Sequence, residues 1–292
     1  MYVTGENVLR SLKSLSHFRQ SQDRRMTTAP SSPEGQDFQN AEYPEFEPDT
    51  LVDPLLLALP KNLAELAEQT GPLPSHSVVV GLCEDGMPLT IDLTNPSPGS
   101  ILILGDRQSG KTRLLRTMLK SVEMTFPEDA IGFSLITREP GDYLALTGNK
   151  NCLEYLTPNH STMLDLIMNL NRQVEERRRN QPGNTRVILA IDDLASCLQW
   201  LDEENYLRLA SIARHGPRYG IWTFAVLDAE SIGTIDRPLL SSFRSHFFTH
   251  LRKDRIIRSY FGLNQIPPCT AGDQACTPFG IDWLRFWILD NN

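Results

Sequence analysis

Residues 105 to 112 read Gly-Asp-Arg-Gln-Ser-Gly-Lys-Thr, a full match to the spacing G-x-x-x-x-G-K-[ST]. Each fixed position has a chemical reason. The glycines let backbone N–H groups curl around phosphates, and the start of a following helix adds partial positive charge. Lys111 is then placed to reach the β- and γ-phosphates, and the Thr112 hydroxyl to hold Mg²⁺. The pattern predicts that Gly105, Asp106, Arg107, Gln108, Ser109, Gly110, Lys111, Thr112 and Arg113 contact bound ATP.

Further along, the apolar run Val187-Ile188-Leu189-Ala190-Ile191 ends in Asp192-Asp193. A strand that delivers two carboxylates beside a phosphate loop supplies what hydrolysis of a nucleoside triphosphate requires. One carboxylate holds the metal's water shell and the next orients the attacking water. Asp192 takes the metal role with Thr112, and Asp193 the catalytic role with Lys111. Taken alone, an Asp-Asp pair at a strand end also reads as a helix cap, and the phosphate loop is what tips the reading toward a metal site.

These residues need a scaffold, and the hydropathy pattern describes one. From Ser77 onward, short β-branched runs alternate with helical periodicity, which predicts a parallel sheet with crossover helices. Val78-Val79-Val80 and Leu89-Thr90-Ile91 form a hairpin through Glu84-Asp85-Gly86. Ile101 to Leu104 is the strand ahead of the phosphate loop, and Leu115, Met118, Leu119 and Val122 follow helical spacing after it. Further strands are expected at 131–137, 187–191, 221–227, 247–251 and 284–289, with helices near 161–179, 203–215, 236–243 and 253–260. The alternating aromatics Trp283, Phe286 and Trp287 suit a strand packed on a core. The expected fold is α/β, a mostly parallel central sheet with helices on both faces.

Ahead of this domain the composition differs. Residues 1–20 carry Val8, Leu9, Leu12 and Leu15 at helical spacing, suggesting a short amphipathic helix over 5–19. Residues 21–53 read as an acidic linker, with seven carboxylates and no Lys or Arg between Glu34 and Asp53. Residues 54–76 read as a helical lead-in, a helix over 54–69 capped by Asp53 with Pro54 in its first turn. The domain proper spans 77–292.

The charge balance bounds the partners. The chain carries 28 basic and 36 acidic side chains. Residues 1–74 hold 6 and 11 of these, leaving 22 and 25 for the remainder, which is nearly neutral. The bulk attraction to nucleic acid of a basic domain is therefore absent, while a local basic patch is compatible with the numbers. No stretch approaches the ~20 apolar residues needed to cross a bilayer, and no secretory pattern opens the chain, so a cytoplasmic location without an integral membrane segment is expected. Five cysteines without C-x-x-C spacing argue against a disulfide framework or zinc site.

The stretch Ile212-Ala213-Arg214-His215-Gly216-Pro217-Arg218-Tyr219-Gly220-Ile221, leading into Trp222–Val226, resembles the G-R-x-x-G-I-h segment before the sensor strand of FtsK/SpoIIIE and HerA-type ATPases. The lead-in Val79 to Leu93, ending in Asp92-Leu93, and the pair Gly272-Asp273 followed by Arg285-Phe286 resemble further segments of that family. The resemblance covers about residues 77–290 and implies a RecA/FtsK-like P-loop ATPase, with the Asp192 strand next to the phosphate-loop strand: a motor subunit that couples MgATP binding and hydrolysis to movement of DNA or polypeptide. Its implied partners are further copies in a homo-oligomeric ring, a hexamer by the family pattern, or a larger ATPase. Three positions depart from the family. The arginine expected before Gly220 is Pro217, leaving Arg218 or Arg214 as the trans-acting catalytic finger. The sensor glutamine falls at Asp228, a carboxylate that repels phosphate. The usual second-carboxylate glutamate is Asp193. These departures imply an alternative, a hydrolysis-impaired nucleotide-binding switch or assembly module of a larger complex.

Overall fold

The structure, a computed structural model, describes residues 59–127, 129–146, 148–159, 161–179 and 185–290. The helix expected over 5–19 and the acidic linker lie outside the described residues.

Among the described residues ten strands form one sheet: β1 (Ser77–Cys83), β2 (Pro88–Asp92), β3 (Ser100–Gly105), β4 (Ile131–Ile136), β5 (Cys152–Leu156), β6 (Arg186–Ile191), β7 (Ile221–Asp228), β8 (Phe243–Phe248), β9 (Gln274–Phe279) and β10 (Asp282–Trp287). Their order is β2-β1-β10-β9-β8-β3-β7-β6-β4-β5. From β8 to β5 every neighbouring pair is parallel, and from β2 to β8 every pair is antiparallel. The helices are α1 (Leu63–Thr70), α2 (Lys111–Thr125), α3 (Ser161–Arg179), α4 (Leu194–Leu198), α5 (Glu203–His215), α6 (Arg237–Leu240) and α7 (Arg255–Phe261).

The alternation of β3 shows why both faces carry helices. Successive side chains of a strand point to opposite faces. Ile101 and Ile103 enter one core with Leu114, Leu115, Met118, Leu119 and Val122 of α2. Leu102 and Leu104 enter a second core with Met163, Ile167 and Leu170 of α3 and Leu209 and Ile212 of α5. A strand buried on both faces carries a continuous apolar run, as β3 and β7 do. Among the described residues no helix is long and apolar enough to cross a membrane.

One topological expectation is corrected. The Asp192 strand is not next to the phosphate-loop strand: β7 lies between them, pairing with β3 through Gly105 and Asp228 and with β6 through Val187 and Ile221. The reason is legible in β7 itself, because a strand buried from Ile221 to Leu227 requires strand partners on both edges.

Several boundaries also move. The strand expected at 247–251 is β8 at Phe243–Phe248, and that expected at 284–289 is β10 at Asp282–Trp287. The helix expected over 236–243 shrinks to α6, while β5, β9 and α4 are additions. The aromatics of β10 pack as expected, Phe286 edge-on to Phe247 at 5.6 Å and Trp283 to Phe248 at 5.8 Å. The helix expected over 54–69 begins only at Leu63, and its cap is Asn62; Asp53 and Pro54 lie outside the described residues. Asn62 Oδ1 accepts from the Glu65 amide at 2.9 Å while Glu65 Oε2 accepts from the Lys61 amide at 2.8 Å. This reciprocal arrangement satisfies amides that the helix cannot. Asn62→Ala is expected to cost about 1 kcal/mol of stability, checked by urea denaturation.

Candidate functional site: a phosphate loop at the sheet's carboxyl edge

The turn from β3 into α2 is built on two special backbone positions, Gln108 at φ +58° and Gly110 at φ +94°. Gly105 is needed for a different reason. A Cβ there would meet Thr249 Oγ1 at 1.8 Å and Ser109 Oγ at 2.6 Å, because those two hydroxyls share a 2.6 Å hydrogen bond under the loop. The loop is also tied down at its flanks. The Asp106 amide donates to His250 O at 2.9 Å, and the Gly272 amide to Ser109 O at 3.2 Å. Asp106 Oδ2 accepts from the Arg252 amide at 2.8 Å and from Arg252 Nε at 3.1 Å. Burial pushes the Asp106 carboxyl up, but the two Arg252 contacts outweigh it and hold it below the usual carboxylate range.

Lys111 opens α2 and is only 7 % exposed. Its ammonium donates to Asp106 O at 2.5 Å and pairs with Asp228 Oδ1 at 2.7 Å. The neighbouring Thr112 Oγ1 donates to Asp192 Oδ1 at 3.1 Å. That bond spans from the loop after β3 to the end of β6, across the tip of the intervening β7. Arg113 faces elsewhere: its guanidinium binds Ile288 O at 2.5 Å and Leu289 O at 3.2 Å and lies 3.3 Å from Asp273 Oδ1. Arg107 and Gln108 are exposed on the outer rim, and Asp106 and Ser109 are buried beneath it.

Asp192 is largely withdrawn from water, and burial raises its pKa to about 6, only partly offset by Tyr143 and Thr112; Asp142 and Asp193 push it further up. The buried Tyr143 hydroxyl faces this carboxylate without good hydrogen-bond geometry. The donor set, the Thr112 hydroxyl and the Asp192 carboxylate, is hard oxygen and suits a small divalent ion such as Mg²⁺. An acid whose pKa is raised on folding stabilises the protein below its unfolded value, near 4, and that contribution is lost as pH rises to about 6. Metal-free protein should therefore lose up to roughly 3 kcal/mol between these pH values, and Asp192→Asn should flatten the slope, read by denaturation across pH 4 to 7.

Asp193 is placed differently from its neighbour. It sits at φ 152°, ψ 82°, and caps α4: its Oδ1 accepts from the Ser196 amide at 3.0 Å and its Oδ2 from the Ser196 hydroxyl. Arg138 Nη1 approaches the same carboxylate at 3.9 Å. The helix-cap reading of the Asp-Asp pair thus describes its second member in this structure.

Arg218 lies at the other end of the strands. It belongs to the 3-10 turn Gly216–Tyr219 that precedes β7, whereas the loop adjoins Asp228 at the end of β7. The eight-residue strand β7 separates the two ends by on the order of 20 Å, so Arg218 does not reach its own phosphate loop. With Arg214 and Arg244 it lines a cleft of about 300 Å³. Thr249 and Tyr143 support the site without any motif in the sequence to single them out, whereas Gly272, which bonds the loop at Ser109 O, belongs to the Gly272-Asp273 pair that the resemblance marks.

The fold and the loop define an α/β P-loop nucleoside triphosphatase architecture. Scanning the sequence against protein-family models finds no match, and neither does comparison with curated proteins. Solved structures do match. EssC (ATPases 2 and 3) from Geobacillus thermodenitrificans superimposes with a TM-score of 0.63 at 14% identity, over 75% of this chain and 46% of that one. EccC (ATPases 2 and 3) from Thermomonospora curvata, in complex with a signal sequence peptide, gives 0.63 at 15%, over 80% and 43%. The pCW3 conjugation coupling protein TcpA, in a monomer form with ATPγS, gives 0.59 at 16%, over 80% and 70%. The chain thus spans less than half the length of the EssC and EccC chains it matches. At these identities the likeness establishes the fold alone, the α/β P-loop core that these structures share with this chain.

Proposed function

We propose that this chain binds MgATP at the Gly105 to Thr112 loop and acts as an FtsK/HerA-like motor subunit, residues 77–292 forming the ATPase domain behind the helical and acidic leader. The observation that carries the reading is the Thr112 to Asp192 contact of 3.1 Å, which sets a metal-holding pair beside the loop lysine. TcpA, of the same fold, was solved with ATPγS, which supports nucleotide as the ligand.

The roles follow from chemistry. The first-turn amides of α2, which have no intrahelical acceptors, receive the phosphates, and Lys111 neutralises charge between the β- and γ-positions. Thr112 and Asp192 would hold Mg²⁺, which supplies Lewis-acid stabilisation of phosphate charge. Asp193, through the lone pairs its cap leaves free, orients the attacking water. Arg218, with Arg214 beside it, cannot serve its own loop and is available to that of an adjoining copy, which favours a ring or a larger ATPase partner. The family resemblance, an EccC neighbour solved with a signal sequence peptide and the conjugation coupling protein TcpA support polypeptide or DNA as the transported species.

The alternative is a nucleotide-binding switch or assembly module with impaired hydrolysis, and a specific observation favours it: Lys111 is ion-paired to Asp228 while Asp193 is committed to a cap. A turnover assay with and without double-stranded DNA separates the two. DNA-stimulated hydrolysis supports the motor and counts against the switch. Tight ATP binding with negligible turnover, whatever polymer is added, counts against the motor.

A further inference from the structure

Asp228 occupies a position where an aspartate ordinarily has a structural task. It stands immediately before the 3-10 turn Ala229–Thr234, at its N-cap, where an Asp side chain normally accepts from a backbone amide of the first turn. Asn62, Asp193 and Asp202 do so in this protein, while Asp236 and Asp254 stand at helix starts without that bond. Asp228 makes no such cap bond. Its carboxylate is turned instead onto Lys111 Nζ at 2.7 Å, and it remains 43 % exposed at the mouth of the loop.

Topology fixes what lies above it. Because β7 is inserted between β3 and β6, Asp228 at its tip stands between the loop lysine on one side and the Thr112 to Asp192 pair on the other. A terminal phosphate must touch both Lys111 and the cation held by Thr112 and Asp192, so it comes to rest over Asp228. A β-phosphate is cradled by the loop amides and asks less of this space. The lysine's other visible bond, to Asp106 O at 2.5 Å, lies on the loop side.

We propose that Asp228 is a specificity residue that discriminates against the γ-phosphate: it holds Lys111 as an internal counter-ion, so the site takes a nucleoside diphosphate at least as readily as the triphosphate. The inference rests on the nucleotide site proposed above and deepens it. ATP must share Lys111 with a carboxylate that repels its terminal phosphate. ADP leaves the Lys111 to Asp228 pair in place. The protein therefore rests in a diphosphate-bound or empty state, and a triphosphate-bound state requires that the pair be opened.

The test is equilibrium titration calorimetry of the full chain with MgADP and with MgATPγS, on wild type, Asp228→Asn, Asp228→Ser and, as a charge control, Asp282→Asn. Wild type should bind MgADP at least as tightly as MgATPγS. Asp228→Asn should tighten MgATPγS by about tenfold or more and MgADP by less than about threefold, as expected on removing one like charge within ~4–6 Å of the terminal phosphate. Asp228→Ser should repeat the shift, and Asp282→Asn should leave both affinities unchanged. Wild-type preference for MgATPγS of tenfold or more overturns the inference. So does an equal change for both nucleotides, or no change, in the Asp228 variants. Failure of wild type to bind either nucleotide overturns the nucleotide site itself, a different result from any of these.

Discussion

Lys111→Ala is expected to weaken ATP binding by at least about 30-fold. The ammonium sits at the start of α2, 7 % exposed and already poised among loop acceptors. Removing one member of a desolvated charge pair costs about 2–5 kcal/mol, or roughly 30-fold to several-thousand-fold in affinity. Here the effect is compounded, since Asp228 would lose its counter-ion and face the incoming phosphates alone. Titration with a fluorescent ATP analogue, competed by unlabelled ATP, checks it. Retention of wild-type affinity would remove the assignment of Lys111. The variant should stay folded, because Asp228 is partly solvated and its carboxylate can be hydrated in place of the lost partner.

Gly105→Ala is expected to have the second large effect, through geometry rather than charge. The added methyl would lie 1.8 Å from Thr249 Oγ1 and 3.1 Å from Thr249 Cβ. Rotating the threonine hydroxyl away does not suffice, since its Cβ is fixed by the bond from the Thr249 amide to Leu104 O at 2.9 Å. Either β8 shifts or the loop lifts, and the Ser109 to Thr249 hydrogen bond is lost with it. Overpacking of this kind typically costs about 1–3 kcal/mol, and the lost buried bond adds about 1 more. In a domain of this size that lowers Tm by roughly 4–16 °C. The loop amides would no longer converge, so nucleotide binding should fall with stability. Gly141→Ala, where a Cβ meets nothing within 4 Å, is the matched control and should shift neither. Scanning calorimetry and the same fluorescent titration read both.

Much of this architecture is legible in the residue order. The strand and helix around the phosphate loop carry strong, unambiguous periodicity, and the long helices α3 and α5 fall where the pattern puts them. What is missed has local physical reasons. Strand β5 reads Cys-Leu-Glu-Tyr-Leu at the sheet edge, where partial burial blurs the pattern. Strand β9 contains Pro278, which argues against a strand until its position near the strand's end is known. In β8, Arg244 and His246 interrupt the apolar run and draw the expected strand toward the more apolar residues that follow.

At the site, the sequence names the loop and both aspartates but not their pairings. The insertion of β7 depends on which strands associate, and only that association brings Asp228 level with Gly105. By the family resemblance alone Asp228 is a carboxylate where an amide is usual; in the fold it is the partner of Lys111. Arg113, two residues past that lysine, reads as a phosphate ligand, yet the fold returns Ile288 and Leu289 to its guanidinium. Asp193 reads as a water-orienting carboxylate, and the short helix that it caps has too few residues to announce itself.

The most direct measurement is a crystal structure of the chain grown with MgATPγS. The account predicts a triphosphate cradled between Gly105 and Thr112, with the Lys111 ammonium on the β- and γ-oxygens and the cation beside Thr112 and Asp192. A loop that stays empty at saturating nucleotide, with Lys111 still closed onto Asp228, would contradict it.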